Sequence, residues 1–186
     1  MAGECDVVVE DLRPVPDWNH LAGVDSGEFG TLAGYSTIWL ARAVGDEGRV
    51  LTLELEETIA AIARENLERA GVADRVDVVG GPAAQSAQCL ADTHTEPFDL
   101  VFIDADKPSN PAYLAVALRL TRPGAVIIVD DVVHDGAVVD EHSDDVRVRG
   151  VRQLVADIAA DPSLEATAVQ TVGVKGWDGL LILRRT

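Results

Sequence analysis

The stretch RVLTLELEETIAAIARENLERAGVADRVDVVG, residues 49–80, decides the fold of this chain. It begins with RVLTLEL (49–55), an apolar run of the length typical of a buried strand. An amphipathic helix is predicted over 56–70, with acids at its start and Gly71 after its end. RVDVVG (75–80) predicts a second strand. Two strands joined through a helix indicate a βαβ unit, in which the strands are parallel.

The same alternation continues along the rest of the chain. Strands separated by helical patterns of about 10–15 residues indicate a mostly parallel sheet with helices on both faces. The last two strands are joined by VGVKGWD, a link too short for a crossover, so we expect them to be antiparallel. The other predicted helices are 35–44, 82–91, 111–120 and 147–161, and the other predicted strands are 98–103, 125–129, 166–172 and 179–185.

The composition is that of a globular protein with one folded domain. Of 186 residues, 47% are hydrophobic, and 15 basic against 32 acidic residues give a formal net charge of −17. Nucleic acid is therefore not expected as a partner, because phosphate binding requires a basic face. We expect a cytoplasmic protein that does not contact membranes, since the chain has neither a signal-peptide pattern nor a run of about 18 apolar residues. Cys5 and Cys89 are expected to be reduced thiols.

The N-terminal part of the chain gives the weakest structural signal. Pro14, Pro16, Gly23 and Gly27 interrupt residues 1–27, and no helical or strand period runs through them. We therefore predict an irregular segment over 1–27 and a folded domain over 28–186.

Acidic residues follow most of the predicted strands. In an open α/β sheet, ligands bind beyond the carboxyl ends of the strands. Acids scattered along helices would be ordinary, whereas acids gathered at strand ends indicate a functional site. The residues at these positions are Glu28-Phe29-Gly30, Glu54, Gly81, Asp104 and Asp130-Asp131.

A glycine turn and the acid after the next strand suggest a ligand that contains ribose. The segment EFGTLAGYS (28–36) has the spacing E-x-G-x-x-x-G, not the G-x-G-x-x-G of dinucleotide-binding turns. Glycines let the backbone approach a ligand closely, although a plain strand–helix turn is an alternative. Glu54 can accept hydrogen bonds from both ribose hydroxyls. The alternative for Glu54 is a solvated acid stabilised by the dipole of the following helix.

Three aspartates predict a metal site. Asp104, Asp130 and Asp131 end neighbouring strands, and carboxylates held close together repel one another unless a cation neutralises them. Oxygen ligands favour Mg²⁺, Mn²⁺ or Ca²⁺ over zinc. As an alternative, one acid of the pair at 130–131 caps the following loop. Lys107 lies in the loop after Asp104 and is a candidate base, or else a surface charge, and we interpret His134 as a loop residue rather than a ligand.

Four segments resemble the metal-dependent O-methyltransferases of the catechol and caffeoyl-CoA type, in particular their small bacterial members. The segments are EFGTLAGYSTIWLAR (28–42), VLTLELEE (50–57), FDLVFIDADK (98–107) and VIIVDDVVHDG (126–136). The resemblance runs from about Glu28 to Leu183. It implies an α/β fold with a Rossmann-like, seven-stranded, mostly parallel sheet, an antiparallel last strand and helices on both faces.

The resemblance also implies a cofactor, a metal and roles for individual residues. Methyl transfer from S-adenosylmethionine to a hydroxyl of a small catechol-like aromatic substrate is the implied reaction, and a homodimer is the implied assembly. Lys107 would be the general base, and a divalent cation, foremost Mg²⁺, would hold the acceptor oxygens in line with the methyl group. The implied cofactor-binding residues are Glu28, Gly30, Tyr35 and Ser36 at the methionine part, Glu54 at the ribose, Gly81 and Ala83 at the adenine, and Asp104; the implied metal ligands are Asp104, Asp130 and Asp131.

The chain departs from the family pattern at three places. Position 131 is Asp where the family usually has Asn, LAGVDSG (21–27) is a weakly apolar first strand, and residues 1–27 do not resemble the family's N-terminal helices. These departures leave a second hypothesis, a cofactor-binding homologue with reduced or lost activity. A third hypothesis, a nicotinamide oxidoreductase, is disfavoured by the missing G-x-G-x-x-G.

Overall fold

The protein is described by a computed structural model over residues 23–93, 96–174 and 176–186. The helices are α1 (Tyr35–Val44), α2 (Glu57–Arg69), α3 (Ala83–Thr93), α4 (Asn110–Leu120) and α5 (Val146–Ala160). The strands are β1 (Ser26–Phe29), β2 (Val50–Glu54), β3 (Val76–Gly80), β4 (Phe98–Ile103), β5 (Thr121–Val129), β6 (Leu164–Gly173) and β7 (Gly176–Arg185). The predicted irregular segment 1–27 lies almost entirely outside the described residues, as does Cys5.

The strands form one sheet in the order β3-β2-β1-β4-β5-β7-β6. Neighbouring strands from β3 to β5 are parallel, whereas β7 runs antiparallel to both β5 and β6. The predicted fold class, a mostly parallel seven-stranded sheet with a reversed last strand, is therefore confirmed. Phe29 is in register with Ile103, and Ile103 with Val129. The residues that follow β1, β4 and β5 therefore lie side by side at one edge of the sheet.

Helices cover this sheet because β4 and β5 carry apolar side chains that must be buried. Val101 and Ile103 of β4 and Ile127 and Val129 of β5 are fully buried. The larger core cluster packs α4 and α5 against the central strands, and the smaller one packs α1 and α2 against β2. No helix in the described ranges has the length and apolar character needed to cross a bilayer.

The first strand shows how neighbours impose structure on a weak sequence. β1 has the sequence SGEF and begins two residues before the predicted boundary at 28, yet all four residues are buried. It pairs with β2 on one side and β4 on the other. A Cβ atom at Gly27 would lie 2.9 Å from a ring carbon of Phe98, so glycine admits that ring. Strand partners on both sides, rather than apolar side chains, keep this segment extended.

The last hairpin is tighter than the sequence predicts. β6 and β7 each have ten residues, and Gly173 pairs directly with Gly176. Residues assigned to the link VGVKGWD, including Trp177 and Asp178, therefore belong to the ends of the strands. β5 is also longer than the predicted 125–129, because Thr121 already pairs with Phe98 before a register shift.

Candidate active site

The turn between β1 and α1 needs glycine at two positions. Gly30 and Gly34 have φ of 104° and 88°, values that side-chain-bearing residues rarely adopt. A Cβ atom on Gly30 would overlap the carbonyl oxygen of Asp104, so the turn lies directly against the end of β4. This close contact brings the glycine turn to the aspartate. Tyr35 and Ser36 begin α1 after this turn, with Tyr35 exposed and Ser36 half-buried.

Glu28 lies beneath the turn and is buried, with 1% of its surface exposed. Its Oε2 accepts hydrogen bonds from the hydroxyls of Thr37 in α1 and Thr52 in β2, the latter at 2.7 Å. Thr52 is in turn 2.6 Å from the hydroxyl of Thr31 in the turn. Burial raises the pKa of the Glu28 carboxyl, and the hydrogen bonds oppose this only in part. Glu28 therefore ties β1, β2 and α1 together from inside.

Glu54 lies beside the same turn. It ends β2 and is 9% exposed. Its Oε2 accepts the N–H of Leu32 at 2.8 Å, and its Oε1 accepts the N–H of Glu56 at 3.1 Å. These bonds fix the carboxylate and leave lone pairs for further donors. Gly81, after β3, donates its N–H to the Glu54 carbonyl oxygen at 2.8 Å, so the Glu54 and Gly81 turns are adjacent.

The predicted adenine contacts are only partly described. Gly81 has φ of 122°, which favours glycine. Ala83 is the first residue of α3, and its side chain lies outside the described residues.

A buried lysine lies among the aspartates at the ends of β4 and β5. The Lys107 side chain is 7% exposed, and its Nζ is 2.7 Å from Asp104 Oδ1 and 3.8 Å from Asp131 Oδ2. Burial raises the pKa of Asp130, and the charge of Asp104 adds to that rise. Burial also raises the pKa of Asp131 to about 6, aided by a hydrogen bond with Asp178. The acids share one electrostatic environment, in which Lys107 supplies the positive charge.

The tightest set of potential metal ligands differs from the predicted one. Among the described residues, ligand atoms within 4.8 Å of one another belong to Asp131, His134 and Asp178. Asp131 has φ of 58°, and its carboxylate lies 3.6 Å from His134 Nδ1. Asp104 is paired with Lys107 instead.

The donor chemistry nevertheless fits a hard cation. Asp104, Asp130 and Asp131 are adjacent at one sheet edge, and burial disfavours the negative charges of Asp130 and Asp131, whose pKa values it raises. A divalent cation would compensate these charges.

Two contacts at this site are absent from the sequence-based prediction. Asp178, at the start of β7, joins the end of β5, although 47 residues separate it from Asp131 in the chain. Gly150 of α5 packs on the loop of Lys107: a Cβ there would overlap the Lys107 carbonyl oxygen and lie 2.8 Å from the Pro108 Cα. The isolated glycine in the helical pattern RVRGVRQ was the available signal for this close contact. No local pattern marks Asp178.

An aromatic side chain borders the loop after β5. Trp177 is 40% exposed, and its backbone N–H donates to Asp135 Oδ1 at 3.0 Å. A Cβ on Gly136 would lie 2.6 Å from the indole ring, which therefore rests on that glycine. Trp177 therefore lies beside the loop that follows β5.

Comparison with known proteins identifies the family. The O-methyltransferase family model matches residues 23–186. The catechol O-methyltransferase of Mycobacterium tuberculosis is 54% identical over 155 residues, 83% of this chain and 69% of that protein. The Bacillus cereus O-methyltransferase, solved in complex with S-adenosylhomocysteine, has a TM-score of 0.87 and 51% identity over 91% of this chain and 76% of that one.

A second solved structure agrees with the first. The Streptomyces achromogenes O-methyltransferase involved in tomaymycin synthesis, solved in complex with S-adenosylmethionine, has a TM-score of 0.86 and 44% identity. It aligns with 91% of this chain and 75% of that one. These relatives confirm the resemblance to catechol-type O-methyltransferases, which the motifs at the strand ends indicated. The chain is an enzyme that belongs to the O-methyltransferase family.

Proposed function

We propose that this protein transfers the methyl group of S-adenosylmethionine to a hydroxyl of a small catechol-like aromatic substrate, with the help of a divalent cation. One observation carries the proposal. A buried lysine, Lys107, lies between Asp104 and Asp131 at the sheet edge where the Gly30 turn meets β4. The proposal therefore places the base next to the cofactor site.

The cofactor side of the site supports S-adenosylmethionine. The glycine turn at Gly30 lies directly against the end of β4, and Glu54 presents a fixed carboxylate beside it. A carboxylate at the end of the second strand suits the two hydroxyls of a ribose. Two structural relatives were solved with this cofactor or its demethylated product.

The metal side of the site rests on the acids. Asp104, Asp130 and Asp131 would hold the cation, with His134 and Asp178 adjacent to Asp131. A divalent cation bound there supplies Lewis-acid chemistry that lowers the pKa of an acceptor hydroxyl. Asp131, with a second full negative charge beside Asp130, would strengthen cation binding relative to an Asn.

Lys107 performs the proton transfer in this proposal. In its neutral amine form, the Nζ of Lys107 takes the hydroxyl proton, and the acceptor oxygen forms a bond to the methyl carbon while the carbon–sulfur bond breaks. The electron pair leaves with sulfur, and S-adenosylhomocysteine is released. The positive charge on the sulfonium and the negative charge on the oxygen are both lost in this step. A site that excludes water therefore favours methyl transfer, and Lys107 and Glu54 have little exposed surface.

The acceptor class follows from the relatives and from the site's rim. Two relatives are catechol O-methyltransferases, and a catechol offers two adjacent hydroxyls. Trp177 beside the loop after β5 provides an aromatic surface at the rim. The net charge of −17 disfavours nucleic acid as substrate.

We also propose a homodimer located in the cytoplasm. In the described part of the chain, β6 pairs with β7 alone, and residues 165–173 are exposed. Such a long edge strand is commonly covered by a partner. Sedimentation at micromolar concentration should give twice the chain mass of 19.7 kDa.

Methylation assays with and without a chelator test the main proposal. With S-adenosylmethionine, Mg²⁺ and a catechol, we expect a methylated catechol by mass spectrometry, and loss of product when the chelator is added. Calorimetry should show binding of S-adenosylmethionine but not of NAD. Cofactor binding without turnover of any vicinal diol would instead support the alternative, a homologue that has lost activity. No observation at the described site favours that alternative.

A further inference from the structure

The loop after β5 has an unusual backbone. Asp131, His134 and Asp135 have φ of 58°, 51° and 51°, and Gly136 has φ of 87°. Left-handed conformations are strained for residues with side chains and persist only where surrounding contacts enforce them. The loop 130–136 carries two of the acids proposed to hold the cation, so the contacts that enforce its shape determine where those acids lie.

Asp178 supplies these contacts from β7. Its Oδ1 accepts the N–H groups of Val133 at 2.7 Å and of His134 at 3.2 Å, both in the loop. The same oxygen accepts the N–H of Gly179 at 2.7 Å. A charged acceptor forms stronger hydrogen bonds than a neutral one. Three backbone donors on one oxygen make Asp178 the link between β7 and the loop.

The backbone of β7 closes on the same loop. A Cβ on Gly179 would lie 2.7 Å from Val133 Cγ2, so that glycine admits the loop against the strand. The Val132 N–H donates to the Gly179 carbonyl oxygen at 3.0 Å. A carboxylate oxygen of Asp178 also lies within 4.8 Å of a carboxylate oxygen of Asp131.

We propose that Asp178 is a positioning residue that holds the loop 130–136 in its strained backbone and thereby places Asp130 and Asp131 for the cation. It acts through backbone N–H groups and does not touch the substrate. The inference rests on the proposed function for its catalytic consequence, but its structural part stands without it.

Two substitutions at Asp178 and one matched control test this. Asp178→Ala removes all three acceptor contacts, whereas Asp178→Asn retains an Oδ1 that accepts the same N–H groups. Asp140→Ala is the control, because Asp140 is a nearby exposed acid. In the part of the chain that the structure describes, its side chain accepts a hydrogen bond from the His142 N–H and from no N–H of the loop 130–136. Each variant removes one negative charge, so a difference between them reports geometry rather than charge.

The measurements are the hydrogen-exchange rates of backbone amides and the calorimetric affinities for Mg²⁺ and S-adenosylmethionine. In Asp178→Ala, we expect the amides of Val133 and His134 to exchange at least tenfold faster and Mg²⁺ affinity to fall at least tenfold. S-adenosylmethionine affinity should change less than threefold. Asp178→Asn should restore both quantities to within about threefold of the wild type, and the control should match the wild type.

The outcomes separate this inference from the proposed function. Unchanged exchange at Val133 and His134 in a folded Asp178→Ala protein overturns the inference, as does an Asn variant as impaired as the Ala variant. If the wild type methylates no catechol, the proposed function fails, yet the exchange experiment still decides whether Asp178 holds the loop.

Discussion

Replacing Gly150 by alanine should impair catalysis more than it impairs folding. Gly150 lies in α5, where a Cβ would overlap the Lys107 carbonyl oxygen and lie 2.8 Å from the Pro108 Cα. Both contacts are with backbone, which cannot rotate aside as a flexible side chain does. The loop must therefore move away from α5 by several tenths of an ångström to about 1 Å, and Lys107 moves with it.

The effects of this substitution on the free energy of unfolding partly cancel, whereas its effect on the catalytic rate is not offset. Alanine in a helix interior gains about 0.5–1 kcal/mol over glycine, whereas overpacking costs about 1–3 kcal/mol. The net loss in the free energy of unfolding is therefore about 0–2.5 kcal/mol. A misplacement of about 1 Å in a catalytic group costs roughly 10²-fold in rate. The 2.7 Å pair between Lys107 Nζ and Asp104 Oδ1 would be lost or lengthened.

Initial rates of catechol methylation at saturating cofactor measure the effect, together with thermal unfolding and calorimetric cofactor affinity. Gly173→Ala is the matched control, because a Cβ at Gly173 meets nothing within 4 Å. We expect a large fall in kcat for Gly150→Ala and wild-type behaviour for the control. A Gly150→Ala enzyme with kcat within twofold of the wild type refutes the claim that α5 positions Lys107.

Three further predictions concern the buried carboxylates and the base. Lys107→Ala should lower turnover by roughly 10²–10⁴-fold with little change in cofactor affinity, and full activity in this variant would remove Lys107 as the base. Glu54→Ala should weaken calorimetric binding of S-adenosylmethionine by about 10–100-fold, since a hydrogen bond to a charged group is worth about 1.5–3 kcal/mol; equal affinity would exclude the ribose contact. Because burial raises the folded pKa of Glu28 above its ordinary 4.5, its ionisation opposes folding increasingly as pH rises from that value through the folded pKa. Glu28→Gln should therefore gain stability relative to the wild type as pH rises through that range, as followed by chemical unfolding at several pH values, and a constant difference would contradict the raised pKa.

Elements with strong local patterns were predictable from the sequence. The helix 35–44 and the strand 98–103 have the predicted bounds, because a glycine turn begins the first and an uninterrupted apolar run forms the second. The first strand was expected only from the family resemblance and over 21–27, whereas β1 spans Ser26–Phe29, because SGEF contains little that favours a strand by itself. Its extended state depends on hydrogen bonds with β2 and β4, whose paired residues are 24 and 74 positions further along the chain.

The sequence alone determined the layered α/β fold and brought Gly30, Glu54, Asp104 and Asp130 to one edge, because parallel strands end at the same side of a sheet and each of these residues directly follows or closes a strand. Only the tertiary structure decided that Asp178 joins them. β7 reverses direction and pairs Leu181 with Val129, so the residues before Leu181 lie beside those after Val129. The register between two strands that are distant in the chain is set by packing across the whole sheet. It therefore cannot be predicted from the local sequence pattern of either strand.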